Sequence, residues 1–162
     1  MPLVREAVDG TGDAEVGPEH IPEWFWQAME AARPRLAALE SWLGAQPRQV
    51  VEDFALAHEA AQDALADPAE GVRVDGETWS EDSTEDLCRW VVGQGREFWQ
   101  AVVAGELTPE AAARRYLDGA DPWDEEVADP RHRGYQSTGF LAHGVYRSRF
   151  GEDLDERLDR RR

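Results

Sequence analysis

The stretch SEDSTEDLCRWVVGQGREFW, residues 80–99, decides the fold of this chain. At 100° per residue, its apolar side chains cover more than half of the circumference of a helix. This pattern is typical of a central helix that other helices cover on two sides. The sequence therefore predicts one continuous central helix over about residues 83–104.

Two residues interrupt the apolar face of this segment. Gln94 lies inside the apolar arc, and Gly95 lies next to it. A buried amide needs hydrogen-bond partners, and a glycine inside a helix costs about 1 kcal/mol relative to alanine. Two interpretations stay open. Gln94 is either a core amide beside a close helix crossing at Gly95, or it lines a pocket together with Trp90 and Trp99.

The rest of the chain shows helical spacing between strong start and stop signals. Pro22, Pro47 and Pro109 stand where helices begin, and Gly44 and Gly119 stand where helices end. We therefore expect an all-α single domain of five to seven helices. We predict a flexible acidic arm over residues 1–20, the helical domain over 21–150 and a charged tail over 151–162. Within the helical domain, residues 69–79 are expected to be mostly a loop.

The charge of the chain narrows the classes of partner. Its 162 residues include 34 acidic and 17 basic side chains, a formal net charge of −17. All basic residues are arginine, and lysine is absent. Such a field repels nucleic acid and anionic membranes and favours a basic protein partner. Genome composition and adaptation to salt remain alternative reasons for the acidity.

The sequence favours a cytoplasmic protein. Its single cysteine, Cys88, excludes an intramolecular disulfide, which fits a reducing compartment. No apolar run approaches the roughly 18 residues of a membrane helix. The first twenty residues lack a basic start followed by an apolar core, so we expect no signal peptide.

Four further residues are candidates for binding. Arg89 and Arg96 are seven positions apart, so on a continuous helix they project together and could hold a carboxylate or phosphate, although such a pair more often belongs to a solvated face. Asp82 belongs to an acidic cluster that is either solvated or a docking surface. His58 lies in the apolar stripe of the third helix, where a hydrogen-bonded core histidine is the simpler interpretation.

The common catalytic and metal motifs are missing. In HEAAQ, residues 58–62, Gln62 stands where a zinc protease needs its second histidine. The GQG at 93–95 lacks the preceding strand of a phosphate loop. The apolar, acidic surroundings of Cys88 raise a thiol pKa rather than lower it. We therefore expect no catalytic residue, no metal and no cofactor.

Several motifs resemble an uncharacterised bacterial family, domain of unknown function 4240, over roughly residues 22–104. The matching positions are Phe25–Trp26, the turn Ser80–Glu81–Asp82, Trp90 and the triplet Gln94–Gly95–Arg96. Cys88 and Thr84 replace an arginine and an aromatic residue of the family. The resemblance implies a small helical domain without a settled activity.

Together these features predict an acidic helical module that binds another protein as a regulatory or neutralising partner. The alternative is a small-molecule-binding protein or enzyme whose pocket lies beside the central helix, with Gln94 orienting the ligand. The oligomeric state stays open. The candidate binding residues are Gln94, Trp90, Trp99, Arg96, Arg89, Asp82 and His58.

Overall fold

The computed structural model describes residues 20–119, Trp123 and 137–162. Within them the chain forms eight helices and one two-stranded hairpin. In chain order these are α1 Glu23–Ala32, α2 Leu36–Gly44, α3 Arg48–Asp63, β1 Arg73–Val74, β2 Glu77–Thr78, α4 Glu81–Gly93, α5 Arg96–Val103, α6 Pro109–Leu117, α7 Thr138–Phe150 and α8 Leu154–Asp159. The all-α prediction is confirmed, although the described residues already contain more helices than the five to seven expected.

The prediction of one continuous central helix over 83–104 is wrong, because the chain breaks between α4 and α5. Gln94 is the C-terminal cap of α4, and Gly95 has φ 100° and ψ 171°. This conformation is accessible almost only to glycine. Arg89 and Arg96 consequently lie on separate helices, and the prediction that they project together from one helix is also wrong.

Replacing Gly95 with alanine is expected to destabilise the fold by about 1–3 kcal/mol, the usual cost of forcing a side chain into this backbone region. The strain is in the backbone, because an added Cβ would meet its nearest atom, Glu30 Oε1, only at 3.6 Å. Gly144 in α7 is the matched control, since a Cβ added there would have no atom within 4 Å. G144A is expected to be neutral or stabilising by up to about 1 kcal/mol. If G95A and G144A changed the free energy of unfolding in urea by the same amount, a helix break that requires glycine at position 95 would be contradicted.

The core forms around α3, which packs against α4, α7 and α8. Phe54 on α3 is fully buried, and its ring centroid lies 5.0 Å from that of Phe25 on α1. Trp99 on α5 donates its indole N–H to the carbonyl oxygen of Ala61 at 2.8 Å. His58, also on α3, contacts the first turn of α7 through Thr138. The middle of α3 is therefore surrounded by helices from both halves of the chain.

The segment predicted as a charged tail packs on the helical body. Leu154 and Leu158 of α8 are buried, and Asp153 caps this helix by accepting from the Glu156 N–H at 3.1 Å. The buried carboxylate of Glu52 on α3 receives hydrogen bonds from Arg157 and Arg161. These contacts place α8 along α3. The predicted acidic arm, apart from His20, lies outside the described residues.

Residues 69–79, expected to be mostly loop, contain the β1–β2 hairpin. Its turn residues Asp75 and Gly76 have φ values of 52° and 83°, as a tight two-residue hairpin requires. Arg114 of α6 binds the Asp75 carboxylate at 2.6 Å and holds the turn in place. No helix within the described parts of the chain is long and apolar enough to cross a membrane.

Candidate functional site

Gln94 is enclosed by its neighbours. Its side chain donates to the Trp90 carbonyl oxygen at 3.2 Å, and its own amide oxygen accepts from Arg33 Nη2 at 3.0 Å. Arg33 Nη1 also binds the Gln94 main-chain oxygen at 2.9 Å. Gln94 is 6% exposed and lines neither of two cavities of about 570 Å³ and 160 Å³. Its contacts therefore explain its presence as a helix cap, and a ligand-orienting role stays a prediction.

The two candidate tryptophans are also core residues. Trp90 is buried, with its ring centroid 5.5 Å from that of Phe98 and 5.6 Å from that of Tyr116. Trp99 packs against Trp26 at 5.1 Å. Neither tryptophan lines the two cavities. The contacts of both tryptophans are therefore packing contacts in the core.

The three charged candidates lie at different places. Asp82 is exposed in the first turn of α4. Arg96 binds Glu23 at 2.6 Å on the surface. Arg89 lies on the side of α4 that faces α7, pairs with Glu85 at 3.2 Å, and holds its guanidinium 4.7 Å from the Phe140 ring centroid. Of these three, only Arg89 lines a cavity.

His58 is 2% exposed and forms hydrogen bonds at both ring nitrogens. The Gln62 amide donates to Nδ1 at 2.7 Å, so Nε2 carries the proton and donates to Thr138 Oγ1 at 2.9 Å. Burial, followed by the charge of Arg89, lowers the His58 pKa to about 3. His58 is therefore neutral at physiological pH. Gly139 permits this close approach, since a Cβ there would lie 3.2 Å from His58 Cε1.

A groove of about 570 Å³ opens beside His58, among α3, α4, α7 and α8. Its volume falls within the range of ligand-binding clefts. Part of its lining is apolar and consists of Ala55, Leu154, Leu158 and Phe140. Phe140 is 42% exposed, which is unusual for a large apolar side chain in this protein. We call this cavity the acidic groove, for the charges described next.

Carboxylates outnumber guanidiniums around the acidic groove. The carboxylates are Glu59, Asp63, Glu85, Asp153 and Asp155, and the guanidiniums are Arg89 and Arg147. Three of these five carboxylates form ion pairs, Glu59 with Arg162, Glu85 with Arg89 and Asp153 with Arg147, and a fourth, Asp155, is hydrogen-bonded to His143 at 2.9 Å. The fifth carboxylate is different.

Asp63, at the end of α3, forms no hydrogen bond or ion pair with any residue that the structure describes. Partial desolvation and the charge of Glu59, one helical turn earlier, raise the pKa of the Asp63 carboxyl, and Arg162 opposes them only in part. The Asp63 side chain is exposed, and its ionised form is less favourable in the folded protein than in the unfolded chain. A cation placed in the acidic groove would relieve this.

A second cavity of about 160 Å³ lies among α4, α5 and α6 and is lined by apolar residues. The buried Cys88 stands between the two cavities and lines both. Burial raises the pKa of its thiol to about 11, so the thiol stays protonated and unreactive at neutral pH. Among the described residues, no group of three or more His, Cys, Asp or Glu side chains is placed to hold a metal ion.

Comparison with known proteins identifies no relative of this chain. No protein-family model, curated protein or solved structure matches the chain. The similarity to domain of unknown function 4240 therefore stays a prediction.

Sequence reasoning found His58 and Arg89 but missed the other residues of the acidic groove. Glu59 and Asp63 are spaced four apart on α3, which was a visible signal, but the chain holds 34 acidic residues. Leu154 and Leu158 reach the groove only because α8 folds back on α3.

Proposed function

We propose that this protein binds a basic segment of another protein in the acidic groove, as a regulatory or neutralising partner. The observation that carries the proposal is the excess of five carboxylates over two guanidiniums around a 570 Å³ cavity, where the exposed Asp63 has no hydrogen-bond or ion-pair partner among the described residues and has a raised pKa. Because Asp63 is exposed at the groove and its pKa is raised, a cation from a partner placed beside it would favour its charged form.

The lining of the groove suits the side chain of arginine or lysine. Both have an apolar stem and a charged head, so they can cover apolar surface while the head meets a carboxylate. In the acidic groove the stem would lie along Ala55 and Leu158, and the head would reach Asp63. The volume accommodates a few side chains rather than a folded domain, so the partner contributes an extended segment or a protruding side chain.

The overall charge supports the same partner. A net charge of −17 accelerates association with a basic protein and makes the affinity fall with added salt. A cytoplasmic location belongs to the proposal as well, supported by the lone cysteine. A role in nucleic-acid binding has no support from this charge.

The variant D63N is expected to bind a basic peptide less tightly while the fold becomes slightly more stable. The probe is a fluorescein-labelled hexapeptide of alternating arginine and glycine, titrated with the full chain and followed by anisotropy. Its dissociation constant should rise roughly three- to tenfold, between the values for an exposed ion pair and a charged hydrogen bond. The melting temperature should rise, because the folded-state pKa is raised and ionised Asp63 therefore costs stability at neutral pH.

Glu40 provides the matched control for this experiment. It is exposed on α2 and does not line the acidic groove, so E40Q removes one negative charge elsewhere. E40Q should leave the affinity within about twofold of the wild type, as expected for a distant screened charge. Equal weakening by D63N and E40Q, or equal binding of an alternating glutamate–glycine peptide, would reject the proposal.

A further inference from the structure

Three consecutive arginines follow α8, and their contacts differ. Arg161 is 27% exposed and bridges Glu52 at 2.8 Å and Asp53 at 3.0 Å. Among the residues that the structure describes, Arg160 reaches only Glu152, at 4.0 Å, and is 58% exposed. Arg162 is 52% exposed, binds Glu59, and lies 3.5 Å from the exposed carboxylate of Asp159. Arg161 is therefore anchored, whereas Arg160 and Arg162 lie at the surface.

Only one of these two surface arginines reaches the acidic groove. Glu59 lines the groove one helical turn before Asp63, and Arg162 forms a hydrogen-bonded ion pair with it. Glu152, the partner of Arg160, does not line the groove. Arg162 thus places a guanidinium at the rim of the site that would receive a basic partner.

The Arg162 contact is also easy to displace. Ion pairs between half-exposed side chains contribute about 0.2–1 kcal/mol, because water and salt screen them. Glu59 is 46% exposed in this pair. An incoming arginine can replace Arg162 at Glu59 without disturbing the anchored Arg161.

We infer that Arg162 is an intramolecular competitor for the acidic groove, which a basic partner must displace from Glu59. This inference rests on the proposed function. It implies that the groove binds arginine side chains, since one of the chain's own already binds at its rim. It also implies that the affinity for partners is held below the value that the groove alone would give, because a tethered ligand competes at a high effective concentration.

The test compares R162Q with R160Q, using the full chain and the same labelled arginine–glycine hexapeptide. Both variants remove one positive charge from the same segment, so they share any general increase in attraction. R162Q should bind the peptide roughly two- to fivefold more tightly than R160Q, the range expected for releasing one exposed ion pair. A second readout is the Asp63 pKa measured by NMR, which should rise in R162Q but not in R160Q.

The possible outcomes separate the two claims. If R162Q and R160Q bind the peptide equally and share the same Asp63 pKa, the competitor role is wrong while the groove remains the binding site. If R162Q binds more weakly, Arg162 helps the partner to bind, which also overturns the inference. If neither the wild type nor any variant binds the peptide, the proposed function itself fails.

Discussion

E52A is expected to destabilise the fold by about 1–3 kcal/mol, the usual cost of leaving a buried hydrogen-bond donor without its acceptor. Glu52 is 2% exposed and accepts from the Tyr146 hydroxyl at 2.8 Å, Arg157 Nε at 3.0 Å and Arg161 Nη1 at 2.8 Å. Alanine would leave the buried hydroxyl without its acceptor and would release the two arginines that hold α8 on α3. The free energy of unfolding in urea measures the effect.

Glu152 is the matched control for E52A. It pairs with Arg48 at 3.1 Å, but the two side chains are 41% and 40% exposed. E152A should therefore cost less than about 1 kcal/mol. If the two alanine variants lost similar stability, the network around Glu52 would not be the main attachment of α8.

Between pH 7 and pH 5 the protein is expected to lose about 2 kcal/mol of stability through His58. Burial and then the charge of Arg89, with a further contribution from His143, lower the His58 pKa from 6.5 to about 3. Below pH 6.5, His58 therefore binds a proton in the unfolded chain but stays neutral in the folded chain. The folded state loses stability until the pH approaches 3, for a total of roughly 4–5 kcal/mol.

Above pH 5, the contribution of His58 to the pH dependence of stability can be measured separately from that of Glu52. Burial pushes the pKa of Glu52 up, but the hydrogen bonds from Tyr146 and Arg157 and the nearby arginine charges outweigh it and hold the pKa below its usual 4.5. The stability that Glu52 contributes is thus complete above about pH 5 and is lost only as the pH falls further.

The variant H58Q should remove most of the stability loss between pH 7 and pH 5, whatever its stability at pH 7. H143Q is the control, because His143 lines the same groove but is 36% exposed. H143Q should keep most of the loss of stability, because burial, the largest cause of the lowered His58 pKa, is unchanged in it. The free energy of unfolding in urea, measured at pH 7 and pH 5, tests this prediction. If H58Q lost as much stability between these pH values as the wild type, His58 would not be the cause of the loss.

Local signals in the sequence predicted the helix starts better than the central break. Thr108 caps α6 by accepting from the Ala111 N–H at 3.1 Å, as its position before Pro109 predicts. Ser80 caps α4 in the same way, through the Ser83 N–H. These interactions span three residues, so the sequence contains all the information they need.

The break at Gly95 escaped prediction because apolar periodicity continues on both sides of it. Wheel geometry assumes that each residue keeps helical angles, and a single residue with φ 100° invalidates that assumption. Gln94 then looks like an anomaly inside a helix, whereas it is a cap held by Arg33, a residue 61 positions earlier. Such a partner is not visible in local sequence.

The acidic groove depends even more on distant contacts. Arg161 and Glu52 are 109 positions apart, and their contact brings α8 to the wall of the groove. No spacing rule connects residues so far apart. The sequence predicted an acidic binding surface, and the acidic groove that we propose for it could be recognised only in the fold.

The titration of Asp63, with and without a bound basic peptide, tests the proposed binding site most directly. The side-chain carboxyl of Asp63 would be followed by carbon-detected NMR in the full chain, free and then saturated with the arginine–glycine hexapeptide. A cation beside a carboxylate favours its charged form, so the raised pKa of Asp63 should fall on binding. An Asp63 pKa that stays the same at peptide saturation would show that the basic segment binds elsewhere, and the acidic groove would then not be its site.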